Sequence, residues 1–237
     1  SFADKDRNYS EEILKEKIYF ANFISSHESE YGLRGGFFKE LSKYKRIESA
    51  GTFLNNMPNG ETVKWSNTSK TEFQRKCKFT LCFESTKHEG FITEKITDAF
   101  YADTIPVYYG SSNVTEIFNK NAFINCSDYD SFDDVIAKII ELDNDDQKYL
   151  EMLRQPILVD PQYPQKLADG LEQFVLHIFE QPLEQAYRRS RVYFPKQTEV
   201  YLTTSLEMHR NPLRYFAKRF TEKLKHKTRR LFGKLVK

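Results

Sequence analysis

Three short apolar runs constrain this chain more than any other feature: IYFANFISS (18–26), KFTLCFE (78–84) and IPVYYG (105–110). Each is rich in aromatic and β-branched residues and stops at a polar or glycine break, as a buried strand does. Between them the period changes from two to three and four. RGGFFKELSKY (34–44) places Phe37, Phe38 and Leu41 on one helical face, and TEKITDAFYA (93–102) does the same with Ile96, Ala99 and Phe100. RIESAG and AFINC read as further short strands, and SKTEFQRK and SNVTEIF as short helices. TFLNNMPNGETVKW is rich in Asn, Gly and Pro and reads as loop. SFDDVIAKIIEL (131–142) is an amphipathic helix opened by a Ser cap with acids in its first turn, and DDQKYLEML continues as a second. Strands alternating with helices predict an α/β fold, a parallel sheet covered by helices on both faces. Such sheets bind ligands beyond the carboxyl ends of their strands, where the strand order reverses.

Composition narrows the function classes. With 237 residues, 39% of them hydrophobic and 15% aromatic, the chain can bury one large core with appendages. It has no run of 18 apolar residues, so no membrane-spanning helix is expected. SFADKDRNYSEE lacks the basic start and apolar centre of a signal peptide. Residues 1–16 read as the remnant of a linker, residues 17–190 as a binding domain with trailing helices, and residues 191–237 as a basic tail. Cys77, Cys82 and Cys126 are odd in number and fit neither a zinc spacing nor a disulfide framework. They read as reduced thiols of a cytosolic protein, which makes the four Asn-x-Ser/Thr triplets chance occurrences. There is no Gly-x-Gly-x-x-Gly and no Gly-Lys-Ser/Thr loop, which argues against dinucleotide enzymes and P-loop ATPases. His88 with Glu89 is too little for a metal site, and the acids of ELDNDDQ (141–147) lack the calcium-loop pattern. No metal or other cofactor is expected.

CFESTKHEGFITEK (82–95) lies where a strand gives way to a helix. Thr93 is placed to cap that helix. The unpaired amides behind it carry partial positive charge and Lys95 adds a full one, which together make a seat for a diphosphate. Glu94 would repel phosphate but accepts hydrogen bonds from sugar hydroxyls. The stretch therefore reads as a nucleotide-sugar site, although Thr-Glu-Lys is also ordinary helix-start chemistry.

The ordered series Phe83-Glu84-Ser85-Thr86, Phe91-Ile92-Thr93-Glu94-Lys95, Ile105-Pro106-Val107-Tyr108-Tyr109-Gly110 and Ala122-Phe123-Ile124-Asn125 resembles the core of the α-1,3/α-1,4-fucosyltransferases, over roughly residues 17 to 155. The resemblance implies a Rossmann-like donor domain of a two-domain, GT-B, metal-independent glycosyltransferase. It implies inverting transfer of L-fucose from GDP-fucose to an N-acetylglucosamine or glucose unit of a glycan acceptor. Lys95 and Arg34 would neutralise the departing diphosphate. Glu94 would hold ribose or fucose hydroxyls, Ser85 and Phe91 would line the donor pocket, and Trp65 would contact the nucleotide. Ser85 stands where the family usually has Asn, and Phe91 where it usually has Tyr. The family's general base belongs to its first domain, and no residue here is assigned that role. The runner-up is a non-catalytic nucleotide-sugar-binding module without the acceptor domain and base. A third reading is a peripheral membrane protein whose Rossmann-like body is a scaffold.

Charge is unevenly placed. Residues 210–237 hold eleven Lys or Arg and one acid, Glu222, a net of +10; the other 209 residues hold 25 Lys or Arg against 33 Asp or Glu, a net of −8. Leu213, Phe216, Phe220, Leu224, Leu231 and Leu235 fall close to one helical face of the tail, opposite a basic one. That pattern predicts a helix lying on an anionic membrane surface, at the inner face of the cell membrane, rather than on nucleic acid. The acceptor that fits is a surface polysaccharide precursor such as a lipopolysaccharide O-antigen.

Overall fold

The computed structural model describes residues 7–29, 32–63, 67–182, 204–205 and 208–213. Two compact units are distinguished, Ser1–Gly170 and Leu171–Lys237.

The first unit is built on five strands: β1 (Tyr19–Phe23), β2 (Ile47–Ser49), β3 (Cys77–Phe83), β4 (Ile105–Tyr109) and β5 (Ile124–Asn125). They form one sheet in the order β2-β1-β3-β4-β5, and every pairing is parallel. The helices in chain order are α1 (Glu12–Glu16), α2 (Leu33–Leu41), α3 (Asn67–Arg75), α4 (Glu94–Tyr101), α5 (Val114–Ile117), α6 (Phe132–Asn144), α7 (Asp146–Leu153) and α8 (Tyr163–Glu180). The α/β reading holds, and so do the helical faces read from spacing: Phe37, Phe38, Leu41, Ile96, Ala99 and Phe100 are all buried.

Strand alternation sends apolar side chains to both faces. From β3, Phe79, Leu81 and Phe83 join Ala21, Phe23, Phe37, Ile139, Tyr149 and Leu153 in one core, while Cys82 joins Ile96, Phe100, Tyr108 and Phe123 in the other. Near-continuous apolar strands are what a doubly covered parallel sheet requires. All three cysteines are free and buried, and burial pushes their thiols well up, Cys77 to about 12. Ser131 begins α6 as expected, in a capping box with Asp134.

Residues 7–16, the described part of the stretch read as a linker remnant, pack on the body. Tyr9, Ile13 and Leu14 lie against the larger core. The Arg7 guanidinium donates to the Leu153 carbonyl, and the Tyr9 hydroxyl donates to Asp103. The apolar residues of α1, Ile13 and Leu14, face the core.

The chain runs from β1 outward to β2, then returns across β1 to β3 and continues through β4 to β5. The strand order therefore reverses between β1 and β3. The crevice beyond their carboxyl ends is where a ligand is received in folds of this kind.

Candidate functional site

The β3 strand ends at Phe83, and the next residue, Glu84, extends its ladder by donating its amide to the Tyr109 carbonyl at 2.8 Å. This places a carboxylate at the sheet edge, 1% exposed. Its oxygens accept from the Thr93 amide at 2.8 Å and from the Lys95 ammonium at 2.8 Å. The Thr93 hydroxyl lies 2.8 Å from both carboxylate oxygens and accepts from Lys95 at 2.8 Å. Glu84, Thr93 and Lys95 thus form a closed triangle at the mouth of α4. The ammonium retains one of its three N–H groups, and the Lys95 side chain is 25% exposed.

Thr93 was expected to cap α4 through its hydroxyl, but it makes no such bond. Its oxygen accepts from the Lys95 ammonium instead of a helix amide, and a charged donor makes the stronger bond. Tight packing fixes the geometry further. A Cβ on Gly110 would overlap Glu84 Cγ and the Tyr108 hydroxyl, so glycine is required there. Tyr108 is buried, its hydroxyl accepts from the Ser111 amide at 3.0 Å, and burial raises its pKa.

Arg34 reaches the same edge from the other side of the crevice. It lies in the first turn of α2 and is 4% exposed. Its Nε and Nη2 donate to the Phe83 carbonyl at 3.1 and 2.8 Å, and its Nη1 donates to Ser25 Oγ at 3.2 Å and the His27 carbonyl at 2.9 Å. The guanidinium therefore ties the β1 end to the β3 end, with one Nη2 hydrogen in reserve. Burial lowers its pKa from the usual value, and Glu84 and Glu28 oppose that shift. Glu28 accepts from the Gly35 amide at 3.0 Å, an approach that a Cβ on Gly35 would block.

The loop after Glu84 is pinned by Gly90, whose amide donates to Ser111 Oγ at 2.8 Å and Asn113 Oδ1 at 3.1 Å. Gly90 has φ +75°, a backbone conformation that glycine adopts without strain. Ser85 and Phe91 are exposed on this loop. Glu94, at the first position of α4, is also exposed. Trp65 lies outside the described residues. Arg34 and Lys95 are therefore gathered on either side of Glu84, whereas Glu94 and Phe91 stand at the rim. Among the described residues, no three His, Cys, Asp or Glu side chains gather as a metal site.

The sequence reading missed Glu84. Its signal was a carboxylate closing the apolar run KFTLCFE (78–84), at the strand's carboxyl end.

Residues 14–155 match the sequence model described as glycosyltransferase family 10 (fucosyltransferase) C-term. The chain belongs to glycosyltransferase family 10. It is 37% identical over 134 residues to an alpha-(1,3)-fucosyltransferase FucT of Helicobacter pylori, covering 56% of this chain and 27% of that one. It is 34% identical over 116 residues to the human 4-galactosyl-N-acetylglucosaminide 3-alpha-L-fucosyltransferase 9, covering 48% and 30%. A crystal structure of an alpha1,3-fucosyltransferase with GDP-fucose superposes with a TM-score of 0.55 at 36% identity, over 60% of this chain and 40% of that one. A complex of an alpha1,3-fucosyltransferase with GDP superposes with a TM-score of 0.54 over 60% and 39%. This family 10 chain spans less than a third of the length of the curated relatives it matches.

Proposed function

We propose that the crevice between β1 and β3 binds GDP-fucose, and that the protein transfers L-fucose from it, with inversion, to an N-acetylglucosamine or glucose unit of a glycan. One observation carries the reading. Lys95 and Arg34 are held rigidly on either side of the strand-order reversal, each with an N–H to offer an anion. Similar proteins have been solved with GDP-fucose and with GDP. As the glycosidic bond breaks, negative charge grows on the β-phosphate. Preorganised cations facing that charge lower the barrier without reorganising. In this reading Lys95 and Arg34 supply the charge, so the reaction proceeds without a metal. Glu94 at the rim accepts from ribose or fucose hydroxyls, and Ser85, Phe91 and Trp65 line the donor pocket.

The remaining proposals rest on charge and pattern. The acceptor is a surface polysaccharide precursor such as a lipopolysaccharide O-antigen. Residues 210–237 dock on an anionic membrane at its cytoplasmic face and take no nucleic acid. Among the described residues, no helix is long and apolar enough to cross a membrane. Flotation with anionic vesicles, against neutral ones, tests the docking; equal recovery from both would end it.

Isothermal titration with GDP, UDP and GDP-fucose tests the donor site. The expected outcome is that GDP and GDP-fucose bind, UDP does not, and Lys95→Ala weakens GDP about tenfold, about 1.4 kcal/mol. UDP binding as tightly as GDP would refute guanine selection. Fucose transfer to an acceptor oligosaccharide then separates an enzyme from a binding module without turnover.

A further inference from the structure

Glu84 presents a difficulty for an anion site. A buried carboxylate 2.8 Å from the cation that is to meet a diphosphate works against that diphosphate. Like charges this close repel, and more strongly in a partly buried crevice than in bulk water. A carboxylate that served only to neutralise Lys95 would weaken donor binding.

The bonding points to another role. We propose that Glu84 is a positioning residue of the donor site: it orients the Lys95 ammonium, directly and through the Thr93 hydroxyl, so that the remaining N–H points away from the carboxylate. The proposal rests on the donor-site reading above and deepens it.

Three features fix Glu84 before any ligand arrives. Its backbone is in the β3–β4 ladder, its side chain is fully buried, and Gly110 and Tyr108 close the space around it. A free lysine side chain samples many rotamers, and ordering it on binding costs free energy. Two hydrogen bonds from Nζ, to Glu84 and to Thr93, place that ordering in the fold rather than in the binding step. Thr93 is free for this task because its hydroxyl does not cap α4.

A double-mutant cycle on the whole chain tests the role, with GDP as the titrant. Glu84→Gln, Lys95→Gln and the double variant are titrated alongside the unaltered protein. Glutamine keeps the bulk and removes the charge. The expected result is that Glu84→Gln weakens GDP about tenfold when Lys95 is present and less than about twofold in the Lys95→Gln background. Unchanged or tighter GDP binding by Glu84→Gln would overturn the proposal, because relief of repulsion would then be the whole effect. Equal losses in both backgrounds would overturn it too, because Glu84 would then be merely structural. If the unaltered protein does not bind GDP, the donor-site reading falls and this role falls with it. If it binds, and Lys95→Gln weakens binding while Glu84 is uncoupled, only the role of Glu84 falls.

Thermal melts accompany each variant. Should Glu84→Gln not fold, Thr93→Val carries the same cycle, since it removes the hydroxyl bridge without removing a helix cap. It is expected to weaken GDP about threefold, in the presence of Lys95 only; no change would overturn the proposal.

Discussion

The two ends of one sheet hold similar residues to opposite effect. At the carboxyl end, Lys95 pairs with a buried carboxylate and keeps a quarter of its side chain exposed. At the amino end, Lys17 is 8% exposed, and its ammonium donates to the carbonyls of Arg75 at 2.7 Å and Asp103 at 2.6 Å. Burial pulls the Lys17 pKa down to about 8, with the Asp103 charge opposing. Around it, Tyr9 donates to Asp103, and burial together with that carboxylate raises the tyrosine pKa. The Arg75 guanidinium lies 3.9 Å from Asp103. The amino end is closed upon itself, and its cation ties strand starts together. At the carboxyl end Lys95 stays partly open, whereas Arg34 is as closed in as Lys17. Residue type does not tell the two lysines apart; exposure and the nature of the partner do.

Changes at the two ends are expected to separate stability from binding. Asp103→Ala should have the largest effect, a loss of about 3 kcal/mol in urea unfolding. It leaves Lys17 and its cationic neighbours without their counter-charge and asks alanine to hold φ 57°. GDP affinity should not change; a parallel loss of GDP binding would show the two ends to be coupled. Gly110→Ala should cost about 2 kcal/mol, from the overlap with Tyr108 and Glu84. Unlike Asp103→Ala, it should also weaken GDP, because the displaced group is the carboxylate that holds Lys95.

The third effect is a slope with pH. The folded pKa of Lys17 lies at about 8, below its ordinary 10.5. Between these values the unfolded chain binds a proton that the folded one does not, so Lys17 contributes stability that increases as pH rises. Relative to Lys17→Met, the unaltered protein should therefore gain up to about 1.4 kcal/mol between pH 8.5 and 9.5. Chemical denaturation across that range measures it, and a flat difference would place Lys17 in water rather than in the fold. The smallest effect belongs to Phe91→Ala. Phe91 is 39% exposed at the rim, so its truncation should change GDP affinity by less than about 1 kcal/mol by titration. A larger loss would show that the ring stacks over the bound nucleotide.

Much of the site was legible locally. Thr93, Glu94 and Lys95 are contiguous, and a helix start can be read from a few residues. Thr93 shows where that reading stops. Its hydroxyl was free to cap the helix until the fold set Glu84 beside it to accept its proton and the Lys95 ammonium to donate to its oxygen. Residues 7–16 show the same limit from the other direction. Their charges predict solvation, but Tyr9, Ile13 and Leu14 find apolar partners that only the assembled core provides.

What the sequence alone determined is the alternation of strands and helices, the faces that are buried, and the family. These rest on periods of two and of three to four, and on an ordered series of motifs; both are properties of neighbours along the chain. The tertiary structure decided that Arg34 meets the carbonyl of Phe83, 49 residues away, and that Glu84 meets Lys95. Neither contact has a local signature. Both exist because parallel strands bring every carboxyl end to the same edge of the sheet, and the reversal of strand order opens a crevice there. Burial at that edge then leaves a carboxylate no partners except those the fold brings to it.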